Sequence, residues 1–406
     1  MKRMFASVFS VLSIFLINVG YAQVEIRIVD VGAGHAAVVK GPNDFYMVYD
    51  TGTWTNQAEY GENYAMSAIE EIIPKDQPID LLVMSHAHSD HTESTVQILQ
   101  DYQVKKIIRT GYRPDRKAQT NIGDRKWESM DALIRKMAEN KELEDINLSQ
   151  ITIDQQQTYT EGNLPEWIGQ TLMYADNQIE VKILSGFGSP LPSWEADLKA
   201  ANEDSNSYRM NMSSIVIRLE YMPGDTRPGD GQSVLFMGDA LGRFFDDDAQ
   251  TVRFTEKLLI DRFGCEPWDT DCYNYLTSSV LIMGHHGAAN ASAKTFIENV
   301  RPQYAIAPSG HSHDHPAKSS MNHMLDFFIT QYGTQEEALK HIYRTDIGDD
   351  ERLRSSTNAK GQTKYFGVYE WDLGRIDGHR DEPGDNDVYI VMPEDGSIHV
   401  SQDGRN

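Results

Sequence analysis

The sequence predicts an α/β fold, and three observations point to it. Apolar, β-branched runs bounded by Gly, Pro, Asp or Asn recur along the chain, and patterns with apolar residues at three-to-four spacing separate several of them. The opening strands also follow one another without helices, which calls for an antiparallel or mixed sheet at the start.

Taken in order, the chain opens with Lys2 and Arg3, an apolar run over Phe5 to Val19 and the small-residue ending Gly20-Tyr21-Ala22. That is the pattern of a secretory signal peptide over residues 1–22, with cleavage before Gln23. The run is shorter than the roughly 20 apolar residues of a spanning helix. The expected product is a periplasmic or extracellular protein with no membrane span after cleavage. The residue directly after the cleavage point is Gln23 and not a Cys, which argues against a lipid anchor.

Strands are expected over Val24 to Val31, Phe45 to Tyr49, Leu81 to Met84, Lys105 to Arg109, Ile179 to Leu184, Ser214 to Leu219, Val234 to Met237, Ser279 to Met283 and Tyr304 to Ala307. Helices are expected over Tyr64 to Ile73, Ser94 to Tyr102, Met130 to Met137, Ala293 to Val300 and Met321 to Phe328. Two stretches break the rhythm: 111–174 is polar and Gln-rich, and 348–387 is loaded with Asp, Gly and Arg. Neither has the Pro or Ser richness of a linker, so they read as surface insertions in a single domain over residues 23–406.

With 40% hydrophobic and 24% charged residues, the composition is that of a globular chain with a sizeable core. The net charge of −24, two units more negative without Lys2 and Arg3, repels polyanions. A long nucleic acid is therefore disfavoured as a partner, and Lys105 to Arg109 with Arg113, Arg116 and Lys117 is the best candidate basic patch. The two cysteines, Cys265 and Cys272, read as one small-loop disulfide in an oxidising compartment.

Eight of the 13 histidines fall in three short clusters, each after an apolar strand: His86, His88 and His91; His285 and His286; and His311, His313 and His315. The segment His86-Ala87-His88-Ser89-Asp90-His91 places four potential ligands within six residues, a set suited to zinc and similar divalent ions. Asp239 ends an apolar strand after Gly238, where a carboxylate can bridge two cations. Of His285 and His286, the former is nearer the strand and is taken as the ligand; the latter reads as a supporting group or a loop residue.

The order of these motifs resembles the metallo-β-lactamase superfamily, and within it the hydrolase domain of the ComEC competence (DNA-internalisation) family. The resembling residues are Asp30-Val31-Gly32-Ala33-Gly34, Asp50-Thr51-Gly52, the His86 to His91 segment, Asn211-Met212-Ser213-Ser214, Met237-Gly238-Asp239, His285-His286-Gly287, Ser309-Gly310 and His315-Pro316. The resemblance implies an αββα metallo-β-lactamase sandwich with a metal site along one edge. It also implies that His86 and His88 hold one ion, that Asp90, His91 and His285 hold a second, and that Asp239 bridges. Three departures stand out: no His occurs between His91 and His285, His35 stands where the group has Asp or Asn, and Asp314 stands where a Gly precedes the His-Pro pair.

The expected function is that of a secreted metal-dependent hydrolase with one or two divalent ions, zinc first and manganese second. A metal-bound hydroxide oriented by Asp90 would attack a phosphodiester, and His315 would serve the developing oxyanion or the leaving group. The expected substrate is a small molecule or nucleotide. The competing expectations are a β-lactam or lactone hydrolase and a metal-stabilised binding protein without turnover.

Overall fold

The computed structural model describes residues 23–53, 62–113, 122–203, 205–224, 226–265, 274–310, 315–346, 354–357, 363–366 and 386–403. The expected signal peptide lies outside these residues, and none of the described helices is long and apolar enough to cross a membrane.

Six strands open the chain: β1 (Gln23–Ile28), β2 (Ala36–Gly41), β3 (Phe45–Thr51), β4 (Leu81–Met84), β5 (Lys106–Arg109) and β6 (Glu144–Asn147). The first three pair antiparallel, and β3 to β6 run parallel through helical crossovers. A second sheet takes β7 (Thr171–Ala175), β8 (Ile179–Ser185), β9 (Val216–Tyr221), β10 (Gln232–Phe236), β11 (Val280–Ile282), β12 (Tyr304–Ala307) and β13 (Ile342–Arg344). After the hairpin β14 (Arg354–Thr357) and β15 (Thr363–Phe366), β16 (Val388–Pro393) and β17 (His399–Gln402) return to the first sheet, where β16 pairs with β1. The first sheet thus reads β17-β16-β1-β2-β3-β4-β5-β6 and the second β13-β12-β11-β10-β9-β8-β7.

Side-chain alternation builds four layers. On β3, Phe45, Met47 and Tyr49 meet Ile179, Ile217 and Phe236 of the second sheet, while Tyr46 and Val48 face helices. Tyr49 and Phe236 stack across the sheets at 4.9 Å. Helices Tyr64–Ile72, Thr95–Asp101 and Ile122–Glu139 cover the first sheet, and Pro192–Ala201, Phe254–Phe263, Lys294–Val300 and Lys318–Tyr332 cover the second. The result is the expected αββα sandwich. Strands with both faces covered must be apolar throughout, which is why Leu-Leu-Val-Met forms β4 without alternation.

The sequence reading differs at some elements. The stretch 111–174, expected as a surface insertion, instead supplies edge strand β6 and buries Trp127, Met130 and Ile134 against the first sheet. Arg109, expected in a basic patch, is buried: Asp145 grips its guanidinium at 2.9 and 2.7 Å and Asp131 at 2.5 Å. Lys105 and Lys106 pair with Asp80 and Glu144, and Arg116 and Lys117 lie outside the described residues. Cys265 is disulfide-bonded; Cys272, the chain's other cysteine, lies outside the described residues.

Candidate metal centre

The site forms where both sheets end. Asp50 and His86 leave the C-terminal ends of neighbouring β3 and β4, and Asp239 and His285 follow neighbouring β10 and β11. Two bonds hold these ends together: Tyr49 Oη donates to the Ile215 carbonyl at 2.7 Å, and the Ile215 N–H donates to the Ser85 carbonyl at 2.9 Å. Two glycines let the turns close. A Cβ on Gly52 would stand 1.5 Å from the Asp90 carbonyl oxygen. Gly238 has φ +54, and a Cβ there would meet Ser85 Cβ at 2.7 Å.

Asp239 is the hub. Its Oδ1 lies 3.0 Å from His91 Nε2 and 3.4 Å from His286 Nε2, and its Oδ2 lies 3.5 Å from His86 Nε2 and 3.8 Å from His285 Nε2. His91 Nε2 and His286 Nε2 are 3.1 Å apart, and Asp90 Oδ2 lies 3.8 Å from His286 Nε2. His88 turns its Nδ1 to His86 Nε2 at 2.8 Å. All six residues expected as ligands therefore converge: His86, His88, Asp90, His91, Asp239 and His285. His286, expected as a supporting group or a loop residue, joins them, with its Nε2 beside His91 and Asp90 where the resemblance implies His285. His315, expected beside the substrate, has its ring 5.1 Å from that of His285 and 6.1 Å from that of His286. His311, His313 and Asp314 lie outside the described residues.

Hydrogen bonds behind the rings orient them. His91 Nδ1 donates to Asp50 Oδ2 at 2.7 Å, and His286 Nδ1 to the Pro308 carbonyl at 2.7 Å. His285 Nδ1 donates to Asn290 Oδ1 at 2.8 Å. Ser85 Oγ donates to Asp50 at 2.7 Å and so receives His86 Nδ1–H at 3.0 Å. With each Nδ1 turned outward, the Nε2 atoms of His86, His91, His285 and His286 all face one carboxylate. His88 is reversed, its Nε2 beside Ser207 Oγ at 3.4 Å.

Electrostatics follow from burial and proximity. Burial pushes His86, His88 and His285 below the ordinary imidazole pKa, so they favour the neutral, ligating form. Burial opposes charge on His91 too, yet Asp239 and Asp50 on its two sides prevail and hold its pKa well above the usual value. Burial would raise Asp239, but His91, His286, His285 and His86 hold it well below the carboxylate range. Asp50 is likewise held down, against burial, by His91 and His35.

These residues fit divalent cations. Asp239 Oδ1 is buried and receives no well-formed hydrogen bond among the described residues. His86 Nε2 and His88 Nδ1 lie 2.8 Å apart, close enough for one cation to take both nitrogens. The triads His86, His91, Asp239 and Asp90, His91, His286 each keep their ligand atoms within 4.8 Å of one another.

Sequence reading missed the orienting groups. Asp50 entered it only within a motif, and Ser207, Asn290 and the Pro308 carbonyl carry no local signal. His35, noted as a departure, is buried with Nδ1 3.3 Å from Asp50 Oδ2.

Residues 29–129 match the model of the metallo-beta-lactamase superfamily, so the resemblance read from the motifs holds there. Competence protein ComA of Neisseria gonorrhoeae is 39% identical over 69 residues, covering 16% of this chain and 9% of that protein. The chain thus spans only a small part of that relative. Among solved structures, a long form RNase Z from yeast is similar over 72% of this chain and 38% of its own, with 11% identity and a TM-score of 0.38. Igni18, a novel metallo hydrolase from Ignicoccus hospitalis, is similar over 86% of this chain and 100% of its own, with 13% identity and a TM-score of 0.35.

Proposed function

We propose that this chain is a metal-dependent hydrolase that cleaves a phosphodiester in a small or nucleotide substrate, with zinc first and manganese second as its cations. One observation carries the reading: a single buried carboxylate, Asp239, divides its two oxygens between two sets of imidazole nitrogens. Divalent cations supply Lewis acidity toward a phosphoryl oxygen and toward water.

The chain's own residues do the rest. His86, His88 and Asp239 Oδ2 would hold one cation, and Asp90, His91, His286 and Asp239 Oδ1 the other. Asp90 keeps 17% of its side chain exposed, so it meets incoming water and orients it by accepting a hydrogen bond. His315, its ring beside those of His285 and His286, donates a hydrogen bond or a proton to the departing oxygen.

Two observations support a small substrate over a long strand. The net charge is −24, and the Lys105 to Arg109 run is taken up by Asp80, Asp131, Glu144 and Asp145. Action outside the cytoplasm is supported by the disulfide at Cys265, since such bonds persist in oxidising compartments.

The test is turnover by zinc- or manganese-loaded protein. Bis-p-nitrophenyl phosphate should be cleaved, with nitrocefin and labelled single-stranded DNA turned over slowly or not at all. Cleavage of nitrocefin alone would replace this reading with a β-lactam hydrolase, and inertness toward all three in a fully metallated chain would end the enzymatic reading.

A further inference from the structure

We infer that the adjacent histidines 285 and 286 serve different cations: His286 joins Asp90 and His91, and His285 supplies the remaining nitrogen to the cation held by His86 and His88. His285 would thereby fill the place left by the absence of any His between His91 and His285. The inference rests on the metal-centre reading above and adds the division of ligands.

The division follows from which oxygen of Asp239 each ring approaches. His286 Nε2 lies 3.4 Å from Oδ1, the oxygen shared with His91, whereas His285 Nε2 lies 3.8 Å from Oδ2, the oxygen shared with His86. The two rings are 6.4 Å apart with planes 52° apart. Neighbouring residues present their rings this way because both take left-handed backbone angles, His285 at φ 47 and ψ 47 and His286 at φ 54 and ψ 26. Two successive non-glycine residues in that region carry backbone strain. Strain of this kind persists where surrounding contacts enforce it.

The contacts that enforce it are present. His285 Nδ1 is anchored on Asn290 Oδ1 at 2.8 Å, and the Asn290 carbonyl in turn accepts the N–H groups of Gly242 and Arg243 at 3.0 and 3.1 Å. His285 is thus prepared as His91 and His286 are, with its proton turned outward and its Nε2 lone pair turned in. That lone pair receives Asn211 Nδ2–H at 3.1 Å, and a cation taking the lone pair displaces this amide. The alternative role for His285, as a positioning residue that only orients Asn211, gives a different result below.

The experiment counts metal on the full chain, stripped with chelator and reloaded with Zn2+, alongside the visible absorption of the Co2+-loaded protein. Wild type should take two ions. His285→Ala should keep one and lose more than the roughly 10–100-fold in affinity that a supporting partner is worth at the other. H88A/H285A should still hold one ion, since both changes fall on the same cation, whereas D90A/H285A should hold none tightly. Asn211→Ala should keep both. His285→Asn, a smaller change, checks that the loss is not misfolding, with circular dichroism as the control. One ion in wild type, two undiminished ions in His285→Ala, or an Asn211→Ala protein that behaves like His285→Ala would each overturn the assignment. Metal counts are independent of turnover, so failure of the hydrolase reading leaves this result legible.

Discussion

Asp50 Oδ2 receives His91 Nδ1–H at 2.7 Å, while its Oδ1 receives the Ser85 backbone N–H at 2.7 Å. One buried carboxylate therefore fixes both the end of β4 and the ring of His91.

Asp50→Asn removes the charge and puts an N–H donor where acceptors are needed. Zn2+ affinity should fall by roughly 10–100-fold, the usual cost of losing such a partner. Titration calorimetry on wild type and variant measures it; unchanged affinity would mean that His91 needs no anchor.

Glu256 is buried, where desolvation raises its carboxyl from 4.5 to about 7 despite hydrogen bonds from the N–H groups of Ser292 and Ala293. A raised folded pKa means that its contribution to stability is full below the unfolded value and is lost as pH rises through about 7. Glu256→Gln sets an amide NH2 against one of those N–H groups at every pH, but its effect relative to wild type should become about 2–3 kcal/mol more favourable between pH 5 and pH 8. Urea midpoints at the two pH values check this, and an equal effect at both would refute it.

Arg109→Ala should cost about 3–5 kcal/mol, because it leaves Asp145 near the interior without a counter-charge and Asp131 with Arg135 alone. Metal content should not change. Equilibrium unfolding in urea together with metal analysis separates the two readouts.

Gly52→Ala should cost at least about 2 kcal/mol and reduce bound metal, since its Cβ would collide with the Asp90 carbonyl oxygen at 1.5 Å. Thermal melts and metal counts on the same preparation test the prediction; a stable, fully metallated variant would refute it.

What could be read in advance depended on how much of an element's burial its own residues declare. β4 and β12 match their expected spans because short apolar runs covered on both faces leave little choice. β6 escaped because Glu-Asp-Ile-Asn is polar, and its place is set by β5 and by Asp145 closing on Arg109. In the site, ligand types were legible because the chemistry restricts them to a few residues. The choice between His285 and His286 was not, since left-handed angles at both positions arise from tertiary contacts. The groups behind the rings were equally hidden: a backbone oxygen such as that of Pro308 has no residue type to announce it.

The pairing of β16 with β1 joins residues 388–393 to residues 23–28. Until the ribosome has released that late segment, β1 is a bare edge with open N–H and C=O groups, and Asp387 is missing from Arg27 and from the Asp30 N–H. The nascent chain thus carries a sticky border through most of its synthesis.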